Sequence, residues 1–214
     1  MTRIIITLLY LIMITPNIII AQNKIAKEVL DQLSEKGQTY EDITAEFEGS
    51  FSNNNQGIYE EISGKIWIKG DMYKLDLYEE DLAIINNGKT VWYFMKDIPE
   101  VQIMDNNPDE EINPSKIFTI YEYNYEYKYN GAESIDGARS HSISLFPKEN
   151  NQIEKIVLLV DAEKITIKGI RIYDIDKGET IYNITNFITN SSIDKDTFKF
   201  TKEEHPGVEI IDLR

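Results

Sequence analysis

The chain contains no cysteine and only two histidines, His141 and His205, in 214 residues. Without cysteine there is no disulfide staple, no thiol nucleophile and no cysteine to carry a lipid at a processed N-terminus. The histidines have no motif around them. His141 alternates with Ser140, Ser142 and Ser144, a pattern that places it on a solvated strand face, and His205 precedes Pro206 in a loop. No Gly-x-Ser-x-Gly elbow and no glycine-rich phosphate loop occurs, so hydrolase and nucleotide chemistry have nothing to stand on. Basic residues are also scarce. Lys and Arg number 22 against 37 Asp and Glu, a net charge of −15. That surface repels phosphate backbones and excludes nucleic acid as a partner. The reading is of a protein that is not an enzyme and carries no cofactor or metal.

The one long apolar run lies at the start. Arg3 precedes Ile4 to Ile14, broken only by Thr7; Pro16 and Asn17 follow, and Ile18-Ile19-Ile20-Ala21 leads to Gln22. The unbroken run is shorter than the roughly 20 residues needed to span a bilayer. It reads as an export signal over residues 1–21, with cleavage near Ala21 and an uncleaved anchor as the rival. Residues 22–214 form one domain, with no linker and no repeat at 20–50 residues. Export without cysteines points to a bacterial periplasm, in a core that must hold itself together unaided.

Residues 24–36 have a helical stripe, Ile25, Val29, Leu30 and Leu33, ended by Gly37. Almost everything after it alternates with period two. Ile43, Ala45, Phe47 and Phe51 are interleaved with polar residues, and strands follow over 58–69, 72–78, 82–85, 91–95 and 101–104. Asn86-Asn87-Gly88-Lys89 marks a hairpin. Asp105-Asn106-Asn107-Pro108-Asp109 opens like a calcium loop, but Glu110 and Lys116 occupy positions that need Gly and Glu; Asp174 to Gly178 reads as a hairpin turn. Asn113-Pro114 opens a short helix carrying Ile117, Phe118 and Ile120. Tyr121, Tyr123, Tyr125, Tyr127 and Tyr129 recur at period two, and the last three share a strand face. Further strands occupy 139–146, 153–160, 165–173 and 179–188, and one helical turn at 194–197 precedes Phe198. About ten antiparallel strands should curl rather than stay flat.

Several strands are apolar on both faces. Ile66 and Ile68 oppose Trp67; Val91, Tyr93 and Met95 oppose Trp92 and Phe94; Ile156, Leu158 and Val160 oppose Val157 and Leu159. Two architectures satisfy this pattern. One is a sandwich with a filled core. The other is a curved sheet whose inner face lines a pocket for a lipid-like ligand, with tyrosines at the mouth.

Several motifs, in order, resemble the periplasmic outer-membrane lipoprotein carriers (LolA-like). They are Ala45 and Phe47 after the first helix, Gly64-x-Ile66-Trp67-Ile68-Lys69, Asn87-Gly88-Lys89-Thr90-x-Trp92, Asn113-Pro114, and Phe198-x-Phe200 with Pro206-Gly207-Val208-Glu209-Ile210-Ile211. The resemblance implies a mainly β fold with a few helices: an open, incomplete antiparallel barrel with a helical lid over an apolar cavity. It implies a monomeric carrier that takes acylated lipoprotein from an inner-membrane transporter to an outer-membrane acceptor. Carried over, Phe47, Tyr73 and Leu75 would line the acyl cavity, Trp92 and Phe94 would stand on the next hairpin with one turned inward, and Ile117 and Phe118 would form the lid. One motif departs. Family members have Arg-Pro after the Lys of the Trp-containing strand, and that Arg helps hold the lid; here Gly70 and Asp71 stand there. A carrier for another amphiphile, or an envelope interaction domain with a filled core, are the alternatives. Asp105, Asp109, Glu110 and Glu111 offer an acidic loop to a basic partner.

Overall fold

A computed structural model describes residues 15–107, 113–122, 124–135, 137–149 and 152–214, with side chains from residue 22 onward. The apolar leader up to residue 14, the calcium-like and acidic loop at Asp109, Glu110 and Glu111, Tyr123, and the turn residues Asn150 and Asn151 lie outside them. The first element is helix α1 (Thr15–Gly37). It buries Ala26, Val29, Leu30 and Leu33, spaced as one helical stripe. Ala26 replaces the expected Ile25, which is exposed. The stripe is therefore rotated by about one residue, so that a small side chain sits closest to the sheet. Among the described residues no helix is long and apolar enough to cross a membrane.

Twelve strands follow: β1 (Ile43–Asn53), β2 (Ile58–Lys69), β3 (Met72–Leu77), β4 (Leu82–Asn86), β5 (Thr90–Met95), β6 (Glu100–Asp105), β7 (Tyr125–Ile135), β8 (Ala138–Pro147), β9 (Ile153–Asp161), β10 (Ile167–Asp174), β11 (Gly178–Thr189) and β12 (Glu209–Asp212). They form one sheet in the order β12-β6-β5-β4-β3-β2-β1-β11-β10-β9-β8-β7. Two antiparallel meanders are joined where β1 lies against β11, from Ile43 opposite Thr189 to Asn53 opposite Gly178. A bulge between Glu46 and Phe47 bends that seam. The sheet curves but does not close, since β12 and β7 remain as its two edges. The expected all-antiparallel pattern fails at one place: β12 runs parallel to β6. The chain after β11 leaves the middle of the sheet, passes through short 3-10 turns (Lys195–Phe198, Lys202–Glu204) over the outer face and reaches the β6 edge, the long connection a parallel pair needs.

The turns follow their sequence signals. Between β2 and β3, Gly70 takes a left-handed φ of 58° at the first position of a two-residue loop, as a tight II′ hairpin requires. Between β4 and β5, Asn87 Oδ1 accepts from Lys89 N at 3.0 Å and Thr90 N at 2.9 Å, with Gly88 at φ 87°. Gly178 N donates to Asp174 Oδ1 at 2.7 Å, closing the β10–β11 turn.

Both faces of the sheet are covered, by different means. Inside, α1 packs on Ile143, Leu145, Ile156, Leu158 and Val160. Outside, Ala83, Phe94, Val101 and Val208 form a second cluster with Trp92 and Phe200, under the C-terminal segment. Val157 and Leu159, on the outer face of β9, are also buried. There the far half of β7 arches over: Asn130 Nδ2 donates to Ser144 Oγ at 2.9 Å, and Glu133 pairs with Arg171 of β10 at 3.1 Å across two intervening strands. The arch explains the serines of β8, small residues buried beneath it. His141, expected on a solvated face, is instead partly covered on the other face of β8 by Tyr129. The ring faces inward beside Ile143 and Leu145, half-buried and 2.9 Å from the Tyr129 hydroxyl. Burial first, and then the Arg139 charge, hold the imidazole below its ordinary pKa. His205 stacks on Phe200, with ring centroids 5.0 Å apart.

Asp42 ties the start of β1 to the loop after β11. Its carboxylate, buried, accepts from Ser191 N at 2.7 Å, Ser191 Oγ at 3.0 Å and Ile193 N at 2.9 Å, with the Lys69 ammonium 3.9 Å away. Burial alone would raise its pKa, but the donors together outweigh that and hold it below the ordinary value. A depressed carboxylate stabilises the fold fully above its unfolded pKa of about 3.9 and progressively less as pH falls through the folded value. Asp42→Ala is expected to cost about 1–3 kcal/mol at pH 7 in denaturant unfolding, because buried donors lose their acceptor. The gap from the parent should close as pH falls below about 4.

A candidate ligand cavity

The inner face of β1–β5 and β9–β11 surrounds a cavity of about 560 Å³, within the roughly 300–1,000 Å³ of ligand pockets. Eleven of its twenty lining residues are isoleucine, among them Ile66 and Ile68 of β2, Ile84 of β4, Ile170 and Ile172 of β10 and Ile184 of β11. β-branched side chains are stiff at χ1 and suit strands, but they are short. A half-barrel lined by them keeps open space at its centre that no side chain reaches across. Ala45, mid-wall on β1, widens it.

The motif glycine Gly64 has a local reason. It pairs with Phe47 across β1 and β2. A Cβ there would lie 2.2 Å from the Asp76 carbonyl oxygen and 2.7 Å from the Phe47 ring. Glycine therefore lets the ring lie flat along the wall, where it meets Tyr182 edge-on at 5.4 Å.

A strap over residues 113–122 covers the cavity beside α1. Asn113 Oδ1 caps it, accepting from Ser115 N at 3.0 Å, and the 3-10 turns Pro114–Lys116 and Ile120–Glu122 replace the short helix expected there. Phe118 sits between Tyr40 and Phe187, with ring centroids 5.9 and 6.5 Å away, and fits closely over Gly37, where a Cβ would lie 2.8 Å from it. The strap is tied to α1 by polar bonds: Tyr121 Oη donates to Asp31 Oδ1 at 2.9 Å, and Ser34 Oγ donates to Glu122 Oε1 at 3.0 Å. Burial and then the Asp31 carboxylate push the Tyr121 hydroxyl far above its ordinary pKa. The Lys27 bond, reinforced by Tyr121, outweighs burial and lowers that of Asp31. Gly70 and Asp71, where family members have Arg-Pro, are exposed in the β2–β3 turn, and a Cβ on Gly70 would meet nothing within 4 Å. Among the described residues, the Tyr121–Asp31 and Ser34–Glu122 hydrogen bonds run from the strap to α1.

The structure gathers five of the seven expected site residues. Phe47, Tyr73, Leu75, Ile117 and Phe118 all line the cavity. Trp92 and Phe94 do not. They are two residues apart on one strand and so share a face, and that face is the outer one. There Phe94 lies against Phe200 at 5.3 Å and His205 at 4.4 Å. The expectation that one of them turns inward is corrected: the inward residue of β5 is Tyr93, opposite Ile84 and in register with Leu75. The β10 and β11 residues of the wall, Ile170, Ile172, Tyr182, Ile184 and Phe187, were not singled out in the sequence. Their signal lay in pairing, since Tyr182 sits opposite Ile170 and Ile184 opposite Phe47. Tyr125, Tyr127 and Tyr129 share a face as expected, but they pack on the α1 side of the core and do not line the cavity.

An unclosed barrel with a strapped apolar interior defines a class of proteins that hold apolar ligands. The sequence matches the family model "Outer membrane lipoprotein carrier protein LolA" over residues 38–201, and the chain belongs to that family. No curated protein matches it. Among solved structures it is similar to an uncharacterized conserved protein from Thermus thermophilus, 9% identical over 87% of this chain and 98% of the other, TM-score 0.60. It is similar to the Pseudomonas aeruginosa MucA/MucB complex structure, 12% identical over 83% of this chain and 62% of the other, TM-score 0.50. It is also similar to a LolA superfamily protein from Nitrosomonas europaea, 11% identical over 82% and 97%, TM-score 0.44.

Substitutions on the two faces should separate stability from uptake. Phe94→Ala is expected to destabilise by about 3–5 kcal/mol while leaving uptake of an apolar fluorescent dye unchanged. Ile170→Trp fills the cavity; it should weaken dye uptake about tenfold or more, at a stability cost of about 1–3 kcal/mol. Dye titration and denaturant unfolding of both variants check this.

Proposed function

We propose that this protein is an exported periplasmic carrier that performs no chemistry and shields the acyl chains of lipoproteins while they cross from the inner to the outer membrane. A transporter in the inner membrane would load it and an acceptor at the outer membrane would unload it. The observation that supports this most is the cavity wall, in which aliphatic and aromatic side chains surround unfilled space, in a chain of the carrier family. Exposing an acyl chain costs about 0.8 kcal/mol per methylene, so the chain needs a shield in water. A cover seated by three short-range apolar anchors and side-chain hydrogen bonds to α1 can close over the cavity and open without unfolding the wall. The net charge of −15 keeps the carrier soluble and off anionic bilayer surfaces.

A second reading, a carrier of a different amphiphile, draws on Gly70 and Asp71 standing where family members have Arg-Pro. One experiment addresses both. The protein is recovered from the periplasm of an expressing Gram-negative host, weighed by native mass spectrometry and extracted for lipid. Co-purifying acylated peptide or lipoprotein is the expected result. Another lipid would move the function to the second reading. An apo mass with no uptake of added acyl ligand would contradict both.

A further inference from the structure

Of the twenty residues that line the cavity, only three have side chains that can hydrogen-bond: Tyr73, Tyr93 and Tyr182. Tyr73 is buried, and both Tyr73 and Tyr93 have interactions of their own. Tyr182 differs. Its ring is fixed edge-on to Phe47 at 5.4 Å and 86°, and it stands in the middle of the wall, with Gly49 of β1 on one side and Ile170 of β10 on the other. Among the described residues nothing hydrogen-bonds its hydroxyl. Its hydroxyl has a donor to offer in a wall that is otherwise almost all hydrocarbon. Burial above all raises its pKa, so it stays protonated and able to donate.

We propose that Tyr182 reads the head of the cargo: its hydroxyl donates to the ester carbonyl at the root of an acyl chain. The inference rests on the carrier reading and names its ligand chemistry, a neutral acyl ester. An ester carbonyl accepts one hydrogen bond and brings no charge. A fatty acid would bring a carboxylate into an apolar wall, at the cost of its desolvation. Esters of this kind belong both to diacylglyceryl-modified peptides and to phospholipids.

Displacement of a bound apolar dye tests this on the processed chain and on Tyr182→Phe, which keeps the ring and its packing on Phe47. The ligands are methyl palmitate, hexadecyl methyl ether of matching length, palmitate, a dipalmitoylglyceryl-cysteine peptide and a dipalmitoyl phospholipid. In the parent protein, palmitate should bind at least fivefold more weakly than its methyl ester. Tyr182→Phe should weaken every ester about five- to tenfold and change the ether less than twofold. If the peptide binds more tightly than the phospholipid, the ester source is a lipoprotein, and the reverse order makes it a membrane lipid; either order keeps the role of Tyr182. If Tyr182→Phe changes ester and ether alike, or neither, the inference fails while the carrier reading stands. If the parent protein takes up none of the ligands, both fail.

Discussion

A sheet with apolar side chains on both faces must be covered on both, and among the described residues one long helix serves the purpose. The fold follows from that shortage. The outer face is covered by parts of the sheet's own chain: the arch of β7 over Val157 and Leu159, and the C-terminal segment laid over Trp92 and Phe94. The inner face receives α1 over β8 and β9 and the strap over its middle. What α1 and the strap leave uncovered is a space walled by stiff, short isoleucines. The cavity is thus the remainder of an incomplete cover, preserved because the wall residues cannot swing inward to fill it.

Cover and wall are held by different interactions, and function depends on the difference. The wall is continuous backbone pairing from β5 to β9, fastened at its seam by the buried Asp42 carboxylate. The strap rests on three buried apolar side chains, Ile117, Phe118 and Ile120, with side-chain hydrogen bonds from Tyr121 to Asp31 and from Ser34 to Glu122. Individual hydrogen bonds of this kind contribute about 1 kcal/mol each. Such a cover can open while the wall remains folded, as shielding followed by release requires.

Much of this was legible in the sequence, and the misses have one cause. Period-two alternation, Gly70, Gly88 and the Asp174–Gly178 turn mark strands and hairpins because those signals are local. Which face of a strand is the inner one is not local. The resemblance puts Trp92 and Phe94 on the hairpin with one of them turned inward; the register of β5 against β4, and the return of Phe200 and Val208 from the far end of the chain, turn both outward. His141 was misplaced for the same reason, since its serine neighbours are buried by an arch that the sequence of β8 does not announce. The parallel β12 also depends on a crossing between distant segments. Phe47 stands in a motif, and Tyr73 and Leu75 follow the Trp67 motif in the next strand, at positions that line the cavity, while Ile170, Tyr182 and Ile184 belong to no such motif.

The central claim is that the space inside the sheet is the seat of an acyl chain. The most direct test is a crystal structure of the protein soaked with an acyl ester brominated along its chain, with the bromines located by anomalous scattering. The account predicts bromine peaks between the β2–β4 wall and the β10–β11 wall, near Ile66, Leu75, Ile84 and Ile170. Peaks confined to the outer face, or a cavity that stays unfilled at saturating ligand, would contradict it.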